Sequence, residues 1–209
     1  MTGPVDHVVT SGKFELDGGS WDVDNNIWIV GDSSEVAVID AAHDAAAIRQ
    51  AVGDRDVVAV LCTHAHNDHV NAAPALADAL DAPILLHPDD RVVWDLTHPE
   101  RAPDGDLSDG EMLSVGGIDL RVIQTPGHSP GSVCLYAPEL ATLFSGDTLF
   151  SGGPGATGRS YSDFDVIIGS IRDRLFTLPG ETVVRTGHGD GTKIGNEAPH
   201  LEEWIRRGS

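Results

Sequence analysis

The stretch Thr63-His64-Ala65-His66-Asn67-Asp68-His69 follows directly after an apolar run at residues 57–62 that predicts a strand. Three imidazoles and one carboxylate therefore fall within six positions at a predicted strand end. These groups are ligands of zinc and similar divalent metals. A turn at this point can direct His64 and His66 one way and Asp68 and His69 another, which favours two metals side by side over a loop that is rich in histidine by chance.

Three more polar residues follow predicted strands in the second half of the chain. His128 lies in Thr-Pro-Gly-His, Asp147 in Gly-Asp-Thr and His188 in Gly-His-Gly. The neighbouring glycines and prolines allow the backbone to turn sharply where a strand ends. Turns of this kind meet at one edge of a layered sheet, so we expect these side chains to lie near the first cluster.

Short apolar runs and helical patterns mix along the whole chain. The predicted strands are residues 27–30, 36–39, 57–62, 84–86, 120–123, 133–136, 142–144 and 182–185. The predicted helices are residues 41–52, 72–80, 163–176 and 200–206. The early strands are expected to form a meander and the later ones to alternate with helices. The pattern indicates a layered α/β protein with two sheets and outer helices.

Composition limits the class of protein. The 209 residues predict one domain, residues 1–209, and the formal charge of −20 argues against nucleic-acid and membrane partners. The start of the chain lacks the pattern of a secretory signal, and the two cysteines lie in apolar runs. We therefore expect a cytoplasmic protein with two buried thiols.

The spacing His-x-His-x-Asp-His, with the later His128, Asp147 and His188, resembles the metallo-β-lactamase superfamily, and this resemblance covers nearly the whole chain. It implies a four-layer αββα sandwich with two metals at the edge between the sheets. Carried over by position, one metal is held by His64, His66 and His128. The other is held by Asp68, His69 and His188, and Asp147 bridges both. Asp40 stands where the family keeps a carboxylate that orients a ligand, and a turn or helix-cap role is its alternative.

Within the superfamily, Gly146-Asp147-Thr148-Leu149-Phe150 resembles the glyoxalase II group. Full-length members of that group continue into a C-terminal helical domain. Only about twenty residues follow His188, so the chain resembles the short, single-domain members. Arg159 and Tyr161 lie where the group's pattern differs and are possible substrate contacts. The remaining histidines are interpreted as solvated or capping residues, with a place at the edge of the pocket as the alternative for His87 or His98: His7, His43, His87, His98 and His200.

Two divalent ions can bring the pKa of a shared water toward neutrality and polarise a carbonyl. Asp68 and Asp147 are the predicted catalytic residues. The resemblance implies a hydrolase with two zinc ions per chain that cleaves a small thioester, and leaves the carrier thiol and the oligomeric state open.

Other functions remain open on the same residues. A mononuclear iron persulfide dioxygenase would use His64, His128 and Asp147, and a lactonase would use the same metals on an ester. A β-lactamase is disfavoured because typical members have Cys or Ser where Asp147 stands, and a nuclease is disfavoured by the charge. A non-catalytic scaffold would require closed, four-coordinate metal sites.

Overall fold

The computed structural model describes residues 3–208; Met1, Thr2 and Ser209, the ends of the predicted domain, lie outside the described residues. Two six-stranded sheets form the centre of the molecule. The first sheet contains, in spatial order, β1 (Val5–Leu16), β2 (Gly19–Gly31), β3 (Glu35–Ile39), β4 (Asp56–Leu61), β5 (Ile84–Leu86) and β6 (Gly105–Asp106). The later strands are β7 (Met112–Val115), β8 (Ile118–Gln124), β9 (Val133–Ala137), β10 (Thr142–Gly146), the hairpin β11 (Leu149–Phe150) and β12 (Gly153–Pro154), then β13 (Val183–Thr186) and β14 (Thr192–Lys193).

The order of the strands differs in part from the prediction. The first sheet starts as a meander, β1 to β3, but continues with β3 to β6 all parallel. The second sheet has the order β14-β13-β10-β9-β8-β7, with a second meander from β7 to β10 and β13 parallel to β10. The expected late alternation of strands and helices was therefore wrong for β7 to β10, because short apolar runs do not encode which strands pair.

The helices are short and connect or flank the sheets. They are α1 (Ala45–Val52), α2 (Asn67–Val70), α3 (Ala73–Leu80), α4 (Arg91–Thr97), α5 (Phe164–Ser170), α6 (Ile194–Glu197) and α7 (Leu201–Arg207). Among residues 3–208, no helix combines the length and the apolar composition that crossing a membrane requires.

The predicted helix at residues 41–52 begins only at Ala45. Asp40 and His43 have φ angles of 58° and 61°, and the Asp44 side chain caps the helix by accepting a hydrogen bond from Ala47 N. The helix predicted at 163–176 is α5 followed by a π-helical turn, Ile171–Leu175. The predicted helices at 72–80 and 200–206 begin one residue later than expected.

Three separate apolar layers define the architecture. Along β2, Ile27 and Ile29 face the layer under α1, α3 and α4, whereas Trp28 and Val30 face the layer between the sheets. Such alternation follows from the two-residue period of a strand. The third layer packs the outer face of the second sheet against α5 and α7, with Trp204 as a fully buried member. The predicted αββα sandwich is confirmed.

Candidate metal centre

The seven predicted ligands come from four turns at one edge of the sandwich. His64, His66, Asp68 and His69 follow β4 and enter α2, while the others follow β8, β10 and β13. Backbone hydrogen bonds join these turns: Val133 N donates to Thr63 O at 2.8 Å, and Gly187 N donates to Gly146 O at 2.9 Å. The turns are therefore held together by the sheets themselves.

The side chains form two groups of three, each with ligand atoms that lie within 4.8 Å of one another. The first triad is His64, His66 and His128, and the second triad is Asp68, His69 and His188. They coincide with the two sets carried over from the family. A third group combines Asp40 with His64 and His69. The oxygens of Asp40 already accept hydrogen bonds from Thr63 N, Thr63 Oγ1 and His69 Nδ1, so its geometry is that of an orienting carboxylate.

Four of the five imidazoles place Nδ1 next to an oxygen that can accept its proton. The Nδ1 partners, with distances, are Thr63 Oγ1 for His64 at 3.1 Å, Asp40 Oδ2 for His69 at 3.0 Å, Ala156 O for His128 at 2.9 Å and Asp24 O for His188 at 2.8 Å. Donation from Nδ1 leaves the Nε2 lone pair free to bind a cation.

The ring nitrogens that point into the site face one another in pairs. His66 Nδ1 lies 3.0 Å from His128 Nε2, and His69 Nε2 lies 3.1 Å from His188 Nε2. Two lone pairs at such a distance repel unless a cation or a proton lies between them. In addition, four buried polar atoms of this site have no hydrogen-bond partner among the described residues: His64 Nε2, His66 Nε2, Asp68 Oδ1 and Asp147 Oδ1. The donor set therefore fits two divalent metals.

The Asp147 carboxylate reaches both groups. Its Oδ2 lies 3.6 Å from His128 Nε2 and 3.4 Å from His188 Nε2, and its Oδ1 lies 3.3 Å from His69 Nε2. It thus stands between the two sets of nitrogens, as a shared ligand must.

The pKa values of the site histidines are shifted by burial and by the charges of the neighbouring carboxylates and imidazoles. Burial lowers the pKa of His64 well below its ordinary value and that of His66 to about 3, and neighbouring imidazoles add to this. Burial alone would also lower the pKa of His188, but Asp147 and Asp68 raise it to about 10. In the absence of a cation, the imidazole of His188 therefore carries a second proton, and a metal that binds there has to displace this proton.

The carboxylates show the converse effect. Burial alone would raise the pKa values of Asp68 and Asp147, but the imidazoles of His69 and His188 outweigh it and hold both pKa values below the ordinary range. Both groups are thus anionic and able to bind metal.

Asp90, at the start of α4, was not predicted as a site residue. It is fully buried and accepts hydrogen bonds from Ala65 N at 2.7 Å, Ser129 Oγ at 2.8 Å and Gly131 N at 2.6 Å. Ala65 lies between His64 and His66, and Ser129 follows His128. The Asp90 carboxylate therefore joins, through hydrogen bonds, the turn after β4 to the turn after β8, and these two turns carry the first triad. A single Asp in the sequence His-Pro-Asp-Asp gives no signal for this role.

Gly187 allows the closest approach in the site. A Cβ atom at this position would lie 2.2 Å from Asp147 Oδ1 and 2.6 Å from His69 Cε1. Both distances are far below van der Waals contact, so only glycine lets β13 approach the two side chains.

A cavity of about 420 Å³ opens onto the cluster. Its walls combine the tip of the β1–β2 hairpin with residues near the short β11–β12 hairpin and include Phe14, Leu16, Val23, Phe150 and Arg159. The guanidinium of Arg159 stacks 4.0 Å from the ring centroid of Trp21 and 5.0 Å from that of Phe14. Tyr161 is 41% exposed and is not among the residues that line the cavity, so its predicted substrate contact has no counterpart in this geometry.

Comparison with known proteins bears on the family of this chain. The family model described as the metallo-beta-lactamase superfamily matches residues 21–188. The chain is 32% identical to hydroxyacylglutathione hydrolase GloC of Haemophilus influenzae over 182 residues, which is 79% of this chain and 85% of the relative.

Two solved structures are similar in fold and in sequence. TTHA1623 in a di-iron-bound form is 35% identical, with a TM-score of 0.76, over 84% of this chain and 93% of the other. The B3 metallo-beta-lactamase BLEG-1 is 30% identical, with a TM-score of 0.78, over 92% of this chain and 98% of the other. The chain therefore belongs to the metallo-β-lactamase superfamily and is a metal-dependent hydrolase with a His/Asp metal site.

Proposed function

We propose that the chain hydrolyses a small acyl thioester with two zinc ions bound at this centre. The observation that carries the proposal is the pair of opposed imidazole contacts, 3.0 Å and 3.1 Å, with Asp147 beside both. The similarity to a hydroxyacylglutathione hydrolase supports a thioester as the substrate class. A formal charge of −20 favours a small molecule over a nucleic acid or an anionic membrane as the partner.

The proposed ligand sets are those already described for the two triads, with Asp147 shared. Two bound divalent cations would supply hydroxide near neutral pH and a Lewis acid for a carbonyl oxygen. Asp68 Oδ1 is buried without a partner and can accept a hydrogen bond that orients a water in the cavity. His69 and Asp147 are held in position by the turns after β4 and β10, so little reorganisation is needed when substrate binds.

The cavity indicates how the substrate is held. Phe14, Leu16, Val23 and Phe150 offer apolar walls that exclude water from an acyl group. Stacking of Arg159 on Trp21 and Phe14 fixes the guanidinium plane. Among residues 3–208 its side chain forms no ion pair at contact distance, and the Asp17 carboxylate interacts with it only at longer range. We therefore propose that its free N–H groups contact an anionic group of the substrate.

The test is release of free thiol from a panel of acyl thioesters by the zinc-loaded protein. Arg159→Met is expected to raise KM for a thioester with a carboxylate about 10-fold or more and to leave kcat and a neutral thioester little changed, since a hydrogen-bonded charge pair contributes about 1.5–3 kcal/mol. Arg172→Met is the matched control, because Arg172 is exposed and bonded to Asp173. Absence of turnover with every thioester would refute the thioesterase proposal.

An iron enzyme is the second candidate, favoured by the di-iron form of a relative that is 35% identical. In the persulfide dioxygenase alternative, His64, His128 and Asp147 would hold one iron. Elemental analysis with an oxygen electrode separates the two: about one iron per chain and oxygen uptake with a persulfide would favour the dioxygenase. Turnover of lactones without turnover of thioesters would instead favour a lactonase on the same metals.

A further inference from the structure

A chain of hydrogen bonds runs from the loop after β3 to Asp68. His43 N donates to Asn71 Oδ1 at 2.6 Å, and Asn71 Nδ2 lies 3.0 Å from His43 Nδ1. His43 Nε2 lies 2.9 Å from Asn25 Oδ1, and Asn25 Nδ2 lies 3.2 Å from Asp68 Oδ2. Asn25 is fully buried, so its hydrogen-bond partners are decisive for its orientation.

Each link of this chain has a fixed direction. The backbone N–H of His43 can only donate, so Asn71 presents its oxygen there and its amide N–H₂ to His43 Nδ1. Nδ1 then accepts, and Nε2 carries the proton that is donated to Asn25 Oδ1. Asn25 is left with its N–H₂ group toward Asp68, whose ionised carboxylate can only accept. Burial lowers the pKa of His43, which agrees with a neutral ring in this tautomer.

The fold makes specific room for this histidine. His43 adopts a φ of 61°, a left-handed conformation that is costly for most residues other than glycine. Across from it on β1 stands Gly12, where a Cβ atom would lie only 2.1 Å from His43 Nδ1. The ring of His43 thus packs against the backbone of Gly12 and is held by two hydrogen-bonding contacts with Asn71. A histidine that is merely solvated would require neither the glycine nor the asparagine.

We propose that His43 is a positioning residue for the metal centre, which acts through Asn25 to fix the rotation of the Asp68 carboxylate. Asp68 Oδ2 then lies 3.2 Å from His188 Nε2 and 3.7 Å from His69 Nε2, while Oδ1 is kept free of protein hydrogen bonds. Without this relay, the carboxylate can rotate and the second triad loses its arrangement before a metal binds. Among residues 3–208, no hydrogen bond joins His43 to the first triad, so the metal affinity of that triad should be unaffected.

The test measures metal binding and not turnover. The proposal for His43 rests on the proposed metal centre, and the test stays valid if the chain does not hydrolyse thioesters. The apoprotein is titrated with Zn²⁺ against a chromophoric chelator and with Co²⁺ by absorption spectroscopy. His43→Gly suits the left-handed backbone and removes the ring. It is expected to weaken one of the two binding steps by about 10–100-fold, the range typical of residues that orient metal ligands, and to leave the other step within about threefold. His200→Ala, a change at an exposed histidine, should leave both steps as they are.

A double-mutant cycle shows whether His43 acts through Asn25. In the Asn25→Ala background, His43→Gly should have almost no further effect on the affected step. If His43→Gly does not fold, His43→Asn takes its place in the cycle, because Asn tolerates positive φ and is too short to span the same distance. Two unchanged binding steps, an equal loss in both, or an undiminished loss without Asn25 would each overturn the proposal.

Discussion

Replacing Asp90 with alanine is expected to destabilise the protein and to weaken the first triad, although Asp90 is not a predicted ligand. The carboxylate accepts three hydrogen bonds, from Ala65 N, Ser129 Oγ and Gly131 N, at 2.6–2.8 Å. The Ser129 hydroxyl has another partner in Ser132 Oγ at 2.7 Å, so it can re-pair. The backbone N–H groups of Ala65 and Gly131 have no second acceptor with which to pair in the described part of the chain.

The expected loss follows from these two donors. A buried donor without a partner costs about 1–3 kcal/mol, so Asp90→Ala should lower the free energy of unfolding by about 2–6 kcal/mol. Asp90→Asn keeps the shape and one acceptor oxygen but directs an N–H₂ group at a donor, so its loss should be about 1–3 kcal/mol. Asp89, its neighbour, has a side chain that is 60% exposed, and Asp89→Asn should change stability by no more than about 0.5 kcal/mol.

Urea unfolding of the metal-free proteins measures these differences, because metal binding then makes no contribution. A Zn²⁺ titration of the same variants reports on the first triad. If Asp90→Ala unfolds at the midpoint of Asp89→Asn and binds both metals normally, the argument that Asp90 fastens the turns of His64, His66 and His128 is wrong.

Three further predictions concern the ligands, the metals and the thiols. Asp147→Ala should abolish hydrolysis and leave at most one tightly bound metal per chain by elemental analysis, since it removes the carboxylate beside both triads; two retained metals with full activity would contradict the shared-ligand role. Chelation should lower stability, and each tenfold rise in free Zn²⁺ above the dissociation constant of a site should raise the free energy of unfolding by about 1.4 kcal/mol for that site, hence by about 2.8 kcal/mol above both dissociation constants, as measured by urea unfolding in metal buffers; a flat response would argue against metal binding to the folded state. Burial raises the pKa of Cys62 and raises that of Cys134 to about 11, so both are protonated at pH 8, and iodoacetamide should label them quickly only after unfolding. Rapid labelling of the native protein would be inconsistent with the buried positions of both thiols.

The sequence marked the residues of the metal cluster because each ligand stands in a turn directly after an apolar strand, and the resemblance to the family supplied their division into two sets. His64, His66, Asp68 and His69 are almost adjacent, and strands with apolar residues on both faces are readily detected. The long strand β1 was not predicted. Its inward positions include Thr10 and Gly12 while Val9 is exposed, so its sequence lacks the clear alternation of apolar and polar residues that marks a strand.

The supporting residues could not be predicted for a different physical reason. Asn25, His43 and Asp90 act through hydrogen bonds to residues 18 to 43 positions away in the chain. Nothing in their local sequence distinguishes them from the polar residues of ordinary turns, and His43 was interpreted as solvated or capping. Such roles depend on which turns meet, which only the packed sheets determine.

The close approach at Gly187 has a consequence for variation at this position. Even alanine would force its methyl group into the carboxylate of Asp147 and the ring of His69. A saturation library at codon 187, selected for hydrolysis, should therefore return the parental residue alone, while neighbouring His188 variants lose activity through missing coordination. Position 187 therefore has room for the hydrogen atom of glycine and for no larger side chain.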